Sequence, residues 1–138
     1  MVSLLIGTKG SGKTKKLIEE INGALARSKG NVVVVEKSEA LEFNVNYRAR
    51  LVTADEFGIA GFDELYAFLA GLCAGNHDIT DVLLDATLRI GSREPSELAA
   101  FLKRISKLSA DCETDFVFTI SMDEEDVPAE VFGYCKKI

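Results

Sequence analysis

Residues Gly7-Thr8-Lys9-Gly10-Ser11-Gly12-Lys13-Thr14 match the pattern GxxxxGK[ST] at each fixed position, and this match restricts the fold most tightly. The apolar run Val2 to Ile6 leads into it and reads as a strand covered on both faces. From Lys13 to about Ser28, Leu17, Ile21, Ala24 and Leu25 recur at helical spacing, so an amphipathic helix follows. A strand turning into a helix through three glycines builds an anion cradle. Gly7, Gly10 and Gly12 allow backbone angles that other residues avoid, and main-chain N–H groups can then turn inward around a phosphate. The helix directs its positive N-terminal end at the same anion. Lys13 can reach β- and γ-phosphates, and the Thr14 hydroxyl is placed to ligate Mg²⁺. Thr8, Lys9, Ser11 and Lys15 complete the set expected around the phosphates.

The same alternation continues along the chain. Gly30 is expected to end the first helix, and the four valines Val32 to Val35 read as a second buried strand. Phe43, Val45, Tyr47, Ala49 and Leu51 alternate with polar residues, which predicts a strand or hairpin with one wet face. Thr53 and Glu56 have the spacing of a capping pair. After the break from Gly58 to Gly61, Leu65, Phe68, Leu69, Leu72 and Cys73 mark a helix ending near Gly75 and Asn76. Val82 to Leu84 form a third buried strand running into Asp85, and Leu88 to Glu94 read as a polar connection. Pro95 suits the first turn of a helix carrying Leu98, Phe101, Leu102, Ile105 and Leu108. Phe116 to Ile120 make a fourth buried strand before the acidic run Asp123 to Asp126. The tail from Val127 to Ile138 fits either a short helix or an edge strand. With 138 residues the pattern predicts one domain, residues 1–138, of α/β class. Uniformly apolar strands between helices predict a mainly parallel sheet in a three-layer α/β/α sandwich with right-handed crossovers. Such sheets bind ligands at the carboxyl ends of their strands, here the loops after Ile6, Glu36, Asp85 and Ile120.

Composition narrows the partners. A formal net charge of −6 argues against broad nucleic-acid binding, which requires a dense positive surface. No stretch reaches the roughly 18 continuous apolar residues of a membrane span, and Met1 to Ile6 lack the features of a signal peptide. Cys73, Cys112 and Cys135 form no CxxC pair, and a single histidine, His77, gives no zinc set. His77 reads as a surface residue at a helix end. A reducing, cytoplasmic setting is expected.

The Gly7–Thr14 segment resembles the Walker A motif of the P-loop nucleoside-triphosphatase superfamily. Val82-Leu83-Leu84-Asp85 resembles the Walker B strand, whose carboxylate holds Mg²⁺. The resemblance implies a P-loop fold, ATP and Mg²⁺ as ligands, Lys13 and Asp85 as catalytic residues, and Thr14 and Asp85 as metal ligands. At least one strand, Val32 to Val35, separates the two motifs in the chain, as in AAA+ and RecA-like ATPases. Those proteins often carry a glutamate near the Walker B aspartate as base for water. Here Ala86 and Thr87 follow Asp85, so that glutamate is missing; Asp55 or Glu56 is the substitute, although Glu56 reads first as a cap. Arg89 and Arg93 read first as solvated loop residues, with stabilisation of phosphoryl charge as the alternative. Ser121 is placed to sense a γ-phosphate, or to cap a helix with Glu124. Residues 1–37 also look like the opening of thymidine kinase-type enzymes, without their Asp-Glu pair or cysteine-rich zinc element.

Three functions therefore compete. The leading one is ATP binding with weak or partner-stimulated hydrolysis. A small-molecule or nucleoside kinase is the second, with Tyr47, Arg48 and Arg50 as the obvious supply for a lid. The third is a nucleotide-responsive binding module with little turnover. A protein partner or a homo-oligomer engaging the segment from Phe43 to Leu51 is compatible with each.

Overall fold

The computed structural model describes residues 1–38 and 44–138. Its strands are β1 (Val2–Gly7), β2 (Asn31–Glu36), β3 (Arg50–Thr53), β4 (Ile79–Leu84), β5 (Asp115–Ser121) and β6 (Lys136–Lys137). The helices are α1 (Lys13–Arg27), α2 (Phe62–Gly75), α3 (Thr87–Ile90) and α4 (Pro95–Cys112), and short 3₁₀ turns occupy Ala54–Phe57, Glu124–Asp126 and Ala129–Gly133. Among the described residues the six strands form one sheet in the order β3-β2-β4-β5-β1-β6. Every pairing is parallel.

Alternation along the strands sorts side chains into two cores. Leu5, Val32, Val34 and Leu83 point to one face, where α1 lays down Leu17, Ile21, Ala24 and Leu25. Leu4, Val33, Val35, Leu84, Phe116 and Phe118 point to the other, against Leu65 and Leu69 of α2 and Leu98, Leu102 and Ile105 of α4. Burying each such side chain removes apolar surface from water and contributes roughly 1.5–3 kcal/mol. Aromatic rings knit the second core together. Phe116 stacks on Phe118 at 6.0 Å, Phe118 meets Phe101 edge-on at 5.7 Å, and Phe101 stacks on Phe62 at 4.7 Å. Helices thus cover both faces, and the three-layer α/β expectation is met.

Several local expectations need correction. Of the alternating segment, only Arg50–Thr53 is strand; Asn44 to Ala49 form turns, and Phe43 lies outside the described residues. The alternation there arises because Val45 and Ala49 pack under α1 from a loop. Thr53 does not cap with its side chain; its hydroxyl faces the buried Glu36 carboxylate at 3.5 Å. The connection after Asp85 contains α3, whose Leu88 and Ile90 join the larger core. Helix α1 stops at Arg27 with Ser28 at its C-cap, two residues before Gly30. The tail holds both a 3₁₀ turn and an edge strand, since β6 pairs with β1 through Ser3 and Lys136. Pro95 opens α4 as expected.

Candidate functional site

The sheet order decides what meets at its carboxyl edge. Val32–Val35, which precede Asp85 in the chain, lie beyond β4 in space, and β5 fills the gap between β1 and β4. Gly7 is level with Ser121, and Leu84 is level with Phe118. The ends of three strands therefore surround one cleft of about 830 Å³. Lys9, Gly10, Gly12, Lys13 and Thr14 line it from the loop and the start of α1. Asp85, Ala86 and Arg89 line it from β4 and α3, and Arg93 and Ser121 complete the wall. Thr8 lines an adjoining pocket, while Gly7, Ser11 and Lys15 do not line the cleft.

Local conformation follows from the residue types. Gly10 and Gly12 both have φ +86°, a left-handed backbone that costs glycine little. Ala86 adopts φ 57° without that licence, at the turn that redirects the chain from Asp85 into α3. The Lys13 ammonium donates to the Thr8 carbonyl at 2.9 Å and faces the Ser11 hydroxyl at 3.4 Å. Thr14 Oγ1 donates to Asp85 Oδ2 at 3.4 Å, joining residues 71 positions apart in sequence. The other carboxylate oxygen, Oδ1, accepts a 2.6 Å bond from Thr119 Oγ1. Arg93 Nη2 donates to the Ser121 carbonyl at 3.0 Å. Arg93 is thus exposed but anchored, which departs from a freely solvated loop residue.

Burial lowers the Lys13 pKa below the ordinary lysine value, and the nearby Asp85 carboxylate opposes that shift. The charged form is the one that attracts a phosphate. Any affinity of the cleft for a phosphate anion is therefore expected to fall as pH rises, starting below the usual lysine titration near about pH 10.4. Calorimetric titrations between pH 7 and the alkaline limit of folding check this.

Other candidates are elsewhere. Asp55 forms an ion pair with Lys37 at 3.1 Å, and with Glu56 it lines a separate pocket beside Ser38 and Thr53. Neither residue lines the cleft. Two further aspartates, Asp111 near the end of α4 and Asp115 at the start of β5, do not line the cleft and pair with Lys107 and with the N-terminal amine. Arg50, the first residue of β3, is level with Val33 midway along β2, below the carboxyl edge, and Tyr47 and Arg48 lie in the turn before it. Tyr47 is 93% exposed. Ser121 stays within β5, and the turn at Glu124–Asp126 follows Asp123 with no side-chain cap. Asp123 faces the adjoining pocket.

An all-oxygen pair, the Thr14 hydroxyl and the Asp85 carboxylate, suits a hard cation such as Mg²⁺, which keeps waters and takes few protein ligands. Among the described residues no cluster of three or more His, Cys, Asp or Glu side chains is built to hold a metal on its own. Thr119 and Ala86 escaped sequence reasoning, because their roles depend on strand register and on a left-handed turn. The polar Thr119 within Phe116-Val117-Phe118-Thr119-Ile120 was the one available signal. No protein-family model matches this chain, and no curated protein is similar to it. Among the described residues no helix is long and apolar enough to cross a membrane.

Proposed function

We propose that this chain is a P-loop protein that binds ATP with Mg²⁺ and hydrolyses it weakly, or faster when a partner completes the site. The observation that carries this reading is the meeting of Lys13, Thr14 and Asp85 in one cleft, with Thr14 and Asp85 in contact at 3.4 Å. Lys13 neutralises charge on the terminal phosphates, while Thr14 and Asp85 hold the ion. When bound, Mg²⁺ supplies charge neutralisation to the phosphoryl oxygens. Arg89 and Arg93, on the same wall, are placed to offset charge that grows as the γ-phosphoryl group leaves. Among the described residues Asp85 is the sole acid lining the cleft, and the reading commits it to the ion. Among the described residues no second carboxylate lines the cleft itself to take a proton from water, which supports slow turnover.

The test measures ATP affinity with and without Mg²⁺ for the wild type and for Asp85→Ala. Wild-type affinity is expected to rise with Mg²⁺, and the variant is expected to lose most of that increment. A wild type that binds no nucleotide overturns the proposal.

One observation favours phosphoryl transfer as a second reading. A pocket of about 340 Å³ adjoins the cleft, shares Lys9, Arg93 and Ser121 with it, and adds Asp123 and Asp126. A carboxylate there can accept the proton of an acceptor hydroxyl. ADP release that appears only when a hydroxylated small molecule is added selects this reading over hydrolysis.

A further inference from the structure

The side chain of Thr119 is placed by sheet register. Leu84 pairs with Phe118, so Asp85 and Thr119 come next along neighbouring strands and share the face that α1 covers. Thr119 is 1% exposed and does not line the cleft, so it cannot touch a nucleotide there. Its hydroxyl has two partners. The Ala86 backbone N–H donates to Thr119 Oγ1 at 3.1 Å, and Thr119 Oγ1 lies 2.6 Å from Asp85 Oδ1. An amide N–H can only donate, so the hydroxyl accepts from Ala86 and commits its own proton to Asp85. This bond pins Oδ1 inside the protein and leaves Oδ2 turned toward Thr14.

We infer that Thr119 is a positioning residue for the Asp85 carboxylate, fixing which oxygen faces the cleft and thereby setting how strongly Mg²⁺ adds to nucleotide binding. The inference rests on the proposed reading of Asp85 as the magnesium carboxylate. A carboxylate free to rotate about its last bond presents either oxygen and loses orientational freedom when an ion is held. One that is already pinned has less to lose, so binding is stronger. The same hydroxyl also satisfies the Ala86 N–H at the left-handed turn into α3. Thr119 thus bonds both the carboxylate and the first residue of the turn, while α3 itself is anchored independently by Leu88 and Ile90 in the core.

The experiment titrates ATP into wild type, Thr119→Val and Thr119→Ser, each with excess Mg²⁺ and with EDTA, and records melting temperature in parallel. Valine keeps the branched shape and removes the hydroxyl, whereas serine keeps the hydroxyl. The valine variant is expected to bind ATP about tenfold more weakly than wild type with Mg²⁺. Its affinity in EDTA is expected to match the wild type, because the loop and Lys13 are untouched. Serine is expected to restore the Mg²⁺ increment. A purely structural role would lower the melting temperature and leave the increment unchanged, which overturns the inference. Failure of serine to rescue also overturns it, since the hydroxyl would then not be the active feature. If Thr119→Val does not fold, Thr119→Ala against Thr119→Ser makes the same comparison. If wild-type affinity does not respond to Mg²⁺ at all, the metal reading of Asp85 fails first, and the inference falls with it.

Discussion

Replacing Lys13 with alanine is expected to weaken Mg-ATP binding by roughly 10- to 100-fold in calorimetry. A charge-assisted hydrogen bond contributes about 1.5–3 kcal/mol, and each about 1.4 kcal/mol is a factor of ten in affinity. Folding is not expected to suffer in step. Burial already disfavours the Lys13 charge in the folded protein, and its contacts are local ones, to the Thr8 carbonyl and the Ser11 hydroxyl. The melting temperature of Lys13→Ala is expected to stay close to that of the wild type, which separates a binding defect from a folding defect. Arginine at this position keeps a positive charge but brings a planar fork into a loop already closed around the lysine stem, so partial rescue at most is expected. Unchanged affinity in a folded Lys13→Ala protein would remove the cradle as the nucleotide site.

The second large effect concerns stability. Phe118→Ala is expected to cost about 3–5 kcal/mol in urea unfolding, a large share of the roughly 5–15 kcal/mol that holds a domain together. Phe118 is 0% exposed and touches aromatic neighbours on two sides, Phe116 in its own strand and Phe101 in α4. Its loss leaves a cavity between the sheet and α4 that neither element can fill without shifting. The unfolding midpoint is expected to drop while the denaturant slope holds steady, because the surface exposed on unfolding hardly changes. A cost under about 1 kcal/mol would mean that this face repacks freely, contrary to the interlocked rings seen between Phe62 and Phe116.

Much of the fold was legible because buried parallel strands and amphipathic helices leave separate periodic traces. Val32 to Val35 and Val82 to Leu84 are apolar on both faces, and α1 and α4 repeat their apolar residues at helical spacing. Where apolar residues pack from a loop, period alone misled. Val45 and Ala49 join the core on the α1 side without strand geometry, so the described stretch from Asn44 to Ala49 carried a strand-like pattern without being one. Thr53 and Ser121 had the spacing of caps, yet Thr53 turned its hydroxyl to Glu36 and Ser121 remained in its strand. A short polar side chain takes whichever partner the tertiary structure brings nearest, and sequence spacing records only the local options.

The residues of the candidate site divide in the same way. Gly10, Gly12, Lys13 and Thr14 act through one continuous turn, so their order in the chain already states their geometry. Asp85 could be named because a buried strand ending in a carboxylate is itself a local pattern. What sequence order does not contain is which strand lies beside which. The placing of β5 between β1 and β4 is what sets Thr119 against Asp85, brings Ser121 level with Gly7, and ties Arg93 to the cleft wall. Parallel neighbours are joined by long crossovers, so their adjacency is settled by how the helices pack over both faces.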